Sequence, residues 1–212
     1  MNFKPSDFYL GVVEVFGVLL PGVLLAALLS GRYSDEVFGP LISHAPRTTS
    51  ALLAVYLVSG YLLGNALRAA GEILDLSLYD KWYLKRRQKN GDPLQAKAAR
   101  LVRKQAPDLA IESVSTHEWA ESFLAVRSAE ATQFVAQGRA ESKFYRSLAL
   151  VLLYAGVVSA SQRAGAGIVL LLAAGLSVMR YLQMRWRATC HLYLAYIHIC
   201  ADDVPTTPPA RA

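Results

Sequence analysis

The residue types able to do chemistry gather near the C-terminus, in Arg185-Trp186-Arg187-Ala188-Thr189-Cys190-His191 and then in His198 and Cys200. On a helix His191 and His198 share a face, but they lie about 10.5 Å apart along the axis, too far for both to hold one metal ion. Cys190 and Cys200 lack the close spacing of a zinc-binding or electron-shuttling pair and read as reduced cytosolic thiols. The chain carries no serine elbow, no metalloprotease helix and no phosphate-cradling glycine loop. It is therefore expected not to be an enzyme, with no catalytic residue, metal or cofactor assigned. Arg180, Arg185 and Arg187 read instead as side chains that snorkel to an anionic membrane interface.

Four further groups stand out. Glu14 lies inside a long apolar run, where an ionised side chain facing lipid at mid-membrane costs about 2.5 kcal/mol or more. It should face protein or water: at a wetted interface, paired with a base such as Arg180, lining a pore or cavity, or holding a proton or ion. Gly60 and Gly64 have the small-xxx-small spacing that lets two helices approach closely. Asn65, placed to hydrogen-bond across such a contact, joins Glu14 as a pore- or cavity-lining candidate. Pro21-Gly22 removes a backbone hydrogen bond and permits a hinge. Finally, Lys81, Lys85, Arg86, Arg87 and Lys89 interleave with Tyr79, Trp82 and Tyr83, a pattern suited to anionic lipid headgroups or a small anionic ligand. With no nucleic-acid fold signature, nucleic acid is disfavoured as a partner.

The elements that must position these groups follow from composition. Of 212 residues, 54% are apolar and 18% charged, and the mean hydropathy is +0.29. A soluble domain is usually less apolar and carries about 25% charged residues, so a membrane protein is expected. The apolar residues fall in four blocks: Phe8 to Leu29, Ser50 to Leu67, Tyr145 to Ser161, and Ala166 to about Leu182. Each is near the length that crosses a hydrocarbon core of about 30 Å. The first is too long for a cleaved signal peptide and has only Lys4 before it.

Positive charge orients them. With the N-terminus inside, the bases between Arg68 and Arg146 and those from Arg180 onward are cytosolic, leaving Arg32, Arg47 and Arg163 outside. The expected fold is all-α: spans 1 and 2 within 1–67, a cytosolic helical stalk over 68–144, spans 3 and 4 within 145–182, a cytosolic juxtamembrane helix over 183–203, and a disordered tail over 204–212. Ala69 to Gln88 should prolong the second span, and Pro93 should open a helix through Lys104 after the Asn90-Gly91-Asp92-Pro93 turn. Ser115-Thr116-His117-Glu118 fits a capping box. From there Trp119, Phe123, Val126 and Phe134 trace an apolar stripe able to run straight into the third span.

This layout resembles the small multi-spanning membrane proteins of prokaryotic antiviral defence operons. The carriers are Val18-Leu19-Leu20-Pro21-Gly22, Gly60-Tyr61-Leu62-Leu63-Gly64-Asn65 and Arg139-Ala140-Glu141-Ser142-Lys143-Phe144-Tyr145-Arg146. The resemblance implies an oligomeric effector that permeabilises or depolarises the inner membrane when a cytosolic sensor or a small ligand activates it. The leading expectation is therefore a homo-oligomeric regulated pore in the inner membrane with both termini cytosolic. The alternative is an anchor or assembly subunit that recruits a cytosolic partner.

Overall fold

The computed structural model describes residues 5–33, 49–86, 92–105 and 115–202. All regular structure among them is helical. Helix α1 spans Pro5–Tyr33 and α2 spans Thr49–Leu74, continued by a π-helical segment over Asp75–Leu84. Then follow α3 (Pro93–Gln105), α4 (Thr116–Arg127), α5 (Ala129–Ala160) and α6 (Ala164–Asp202). Three helices are long and apolar enough to cross a membrane: α2 with its π segment, α5 and α6. In α1 the apolar stretch with described side chains runs from Gly17 to Arg32.

Local chemistry sets the helix ends. The capping box forms: Ser115 Oγ accepts from the Glu118 amide at 3.2 Å, and the Glu118 carboxylate accepts from the Ser115 amide at 3.0 Å. The apolar stripe does not continue into α5 as expected. Ser128 is extended (φ −147°, ψ 100°) and caps α5 by accepting from the Ala131 amide at 3.2 Å. A serine satisfies an orphan amide in just this conformation, so the chain bends there. Trp119 and Phe123 pack on a core, whereas Val126 and Phe134 are exposed. The expected turn after the third block is a tight one, with the amides of Gln162 and Arg163 both bonded to the Ser159 carbonyl at 3.0 and 2.7 Å. The expected boundaries at 144/145 and 182/183 fall inside unbroken helices, α5 and α6.

Two regions result. In one, α1 packs on α2 through glycine. A Cβ on Gly22 would overlap the Gly60 carbonyl and lie 2.6 Å from the Gly64 amide nitrogen, and one on Gly64 would lie 2.8 Å from Val18 Cγ1. The small-residue spacing thus serves a contact between two helices of one chain. Around this region large apolar side chains face outward, among them Leu53, Val58 and Leu62 on α2 and Ile168, Val169 and Leu172 on α6. In the other region the C-terminal half of α6 is the spine of a small core, where Tyr196 and Leu192 are enclosed by Ala98 and Val102 of α3, Leu124 of α4 and Val135 of α5.

The glycine contact yields a prediction. Gly64→Val must push α1 away and should destabilise the protein by about 1–3 kcal/mol or more, whereas Gly175→Val, with no atom near its Cβ position, should leave the thermal midpoint in detergent within about 2 °C of wild type, a shift of a few tenths of a kcal/mol. Equal midpoints for the two variants would refute the contact.

Candidate functional site

Where α2 passes into its π segment, three helices meet at one carboxylate. Asp75 is the first π-helical residue. Arg146 of α5 donates to one of its oxygens and Tyr181 of α6 to the other. Arg146 also donates to the Arg68 carbonyl of α2 at 3.2 Å. The guanidinium is 3% exposed and the Asp75 side chain 23%. Gly71 lets the arginine lie against the α2 backbone, since a Cβ there would stand 2.9 Å from the guanidinium carbon. The Arg146 Nε is buried with no hydrogen-bond partner.

A second layer lies further along the π segment. The Tyr79 hydroxyl and Thr189 Oγ1 of α6 are 3.1 Å apart. The Tyr79 ring meets Tyr181 edge-on at 6.5 Å and stacks on Tyr83 at 5.9 Å, while Tyr83 meets Trp186 at 6.3 Å. Arg185 lies over the Tyr79 ring at 5.6 Å. A third layer holds α4 against α5: Arg139 grips both carboxylate oxygens of Glu121, the longer contact being 2.9 Å from Nη2, and the same nitrogen lies 3.3 Å from His117 Nε2. Burial, reinforced by the charge on Arg139, pushes the His117 pKa down. The hydrogen bond from Arg139 holds the Glu121 carboxyl below its ordinary range.

The residues singled out in the sequence are dispersed. Lys81, Lys85, Arg86 and Arg187 are exposed; Arg87 and Lys89 lie outside the described residues, as does the Glu14 side chain. Arg180 lies over Tyr145 at 6.0 Å. Asn65 donates to the Tyr61 carbonyl of its own helix at 2.9 Å, not across to a neighbour. Pro21 and Gly22 are buried against α2. His191 packs on Phe134 at 4.9 Å, and His198 is exposed beside Lys97 and Leu194. Both cysteines are free thiols. Among the described residues no group of His, Cys, Asp and Glu could hold a metal. Asp75, Arg146 and Tyr181 were not among the sequence candidates; the signal was a lone acid between Leu74 and Leu76 and a lone base at the start of the third apolar block.

No family model matches the chain, and no curated protein or solved structure is similar to it. The fold and site define a helical protein with three helices able to cross a membrane, tied together by a buried ion cluster next to a small polar domain.

Two predictions follow from these contacts. Asp75→Asn leaves Arg146 buried without its counter-charge, so it should lower stability by about 3–5 kcal/mol, read as denaturant midpoint in detergent; a loss under 1 kcal/mol would place the cluster outside the packing of the three helices. On acidification, the unfolded chain protonates a histidine at its ordinary value near 6.5 before the folded chain protonates His117. Stability therefore falls as pH drops below 6.5. It falls again below 4.5, as Glu121 loses the advantage of its depressed pKa. His117→Gln should abolish the first decline in thermal midpoint and keep the second.

Proposed function

We propose that the chain is a four-span inner-membrane protein, with both termini and the region between spans 2 and 3 in the cytosol, that assembles as a homo-oligomer and acts as a regulated pore or membrane-disrupting effector. The observation that carries this reading is the Asp75–Arg146–Tyr181 cluster. A buried ion pair holds helices together no better than apolar packing of the same volume, so as glue it has no advantage. Ionisable groups inside helical membrane bundles are instead associated with working parts. Here the cluster joins three apolar helices at the level where they enter the polar domain, so a change in that domain can alter how the helices pack. The bias of Lys and Arg toward the inner segments supports the orientation.

The anchor reading has its own support in Val126 and Phe134, which are 86% and 58% exposed on the polar domain and offer a partner an apolar foothold. The two readings part on membrane potential. Induced expression of the pore should depolarise cells loaded with a voltage-sensitive dye, and Glu14→Gln should assemble normally yet lose cation preference or toxicity. An undisturbed potential with the wild-type chain and with every activated form would reject the pore. A Glu14→Gln variant that assembles and functions normally would favour the anchor. Protection in a phage challenge tests the antiviral setting.

A further inference from the structure

Between the π segment and the polar domain lies a cavity of about 450 Å³, within the range of small-molecule sites. Its walls come from four elements: Tyr79 and Asp80 of the π segment, Gln95 of α3, His117 of α4, and Arg185 and Trp186 of α6. Arg185 is half-buried, and among the described residues it makes no ion pair or side-chain hydrogen bond; its contact is with the face of the Tyr79 ring. A guanidinium presents a planar fork of donors suited to phosphate or carboxylate oxygens, and a partly desolvated one without a counter-ion is poised to take an anion. Tyr79 is sealed, with Arg185 over its ring and Tyr83 stacked on it, so the half-buried Trp186 ring is the aromatic wall that can meet a flat ring. Asp80 and Glu118, both exposed at the same cavity, oppose a ligand with several negative charges.

We propose that this cavity binds a nucleoside monophosphate, its phosphate on Arg185 and its base against the Trp186 ring. One cation and two flanking acids select a single phosphate over a triphosphate. Occupancy is read by the membrane helices through a short chain of contacts, since Arg185 lies on Tyr79, Tyr79 packs against Tyr181, and Tyr181 donates to Asp75. The inference rests on the coupling reading above for its consequence, but binding is measured without any membrane current.

The test is calorimetric titration of the full chain in detergent with AMP, GMP, CMP and UMP, and with ATP, adenosine and inorganic phosphate as separate probes. At least one monophosphate should bind at least tenfold more tightly than ATP, its nucleoside or phosphate alone. Arg185→Gln should weaken that binding at least tenfold, and Arg187→Gln, outside the cavity, should leave it unchanged. Asp80→Asn should narrow the preference for monophosphate over triphosphate by strengthening ATP binding, a gain that misfolding does not produce. Absence of binding by all four monophosphates, or an affinity unmoved by Arg185→Gln, overturns the proposal. Binding intact with no change in membrane potential would instead overturn the pore and leave the site standing.

Discussion

A guanidinium that is 3% exposed constrains everything around it. Desolvating such a charge costs several kcal/mol even after the protein relaxes, so the helices near Arg146 are arranged to compensate it. Asp75 supplies the opposite charge, Arg68 a carbonyl and Gly71 the missing side chain that lets the arginine reach both. Tyr181 then binds the carboxylate oxygen that Arg146 leaves. Those contacts fix the register of α2, α5 and α6 at one level. The turn of α2 that carries Asp75 is also where the helix changes to π geometry, a conformation that is rare and concentrates at functional sites.

From that level the π segment runs to the polar domain with its aromatic face on α6, so Asp75 and Tyr79 belong to one strip that touches both the ion cluster and the cavity. Helices α5 and α6 pass through both regions without a break. Coupling needs an element with two arrangements that both ends bias. In the proposed regulation the cluster would take that role: its bonds are few and directional, and Arg146 Nε remains unpaired, a donor for an alternative set of hydrogen bonds. The glycine contact between α1 and α2 has the opposite character. Its backbones touch over several residues, and close packing of this sort deforms little.

Much of the helical layout was legible in the sequence because it depends on local chemistry. Apolar blocks of membrane length, the Ser115 capping box, the Pro93 helix start and the turn before Ala164 are all encoded within a few residues. What was not legible depends on register between distant segments. Ser128 looks like one more serine in a helical stretch until its hydroxyl is seen to cap α5. Arg146 and Asp75 each look like the edge of an apolar block, and nothing local says that residues 71 apart form a pair. Spacing alone groups Arg185 with Arg180 and Arg187, yet successive helix positions point in different directions. Arg187 is exposed and Arg185 turns inward onto Tyr79. The glycine spacing encodes close packing, and only the three-dimensional structure shows that its partner is α1.

The depth of the ion cluster explains how so buried a charge is tolerated in an apolar bundle. On the outer face of α6 the exposed residues are apolar through Ile168, Leu172, Leu176 and Met179, and then become Gln183, Arg187 and His191. Tyr181 sits at that change. On α5 beyond Arg146 the exposed large apolar residues are Leu153 and Val157, so Arg146 lies about 10 Å before the first of them along the helix. The cluster is therefore level with the edge of the exposed apolar belt; in a bilayer that edge would meet headgroups and water, where the penalty for a charge is far below that at the centre. Asp75, at 23% side-chain exposure, keeps a path to that edge. Opening the cluster would hand its charges to an interface already able to solvate them, and this permits a junction that is firmly paired when closed and still able to change state.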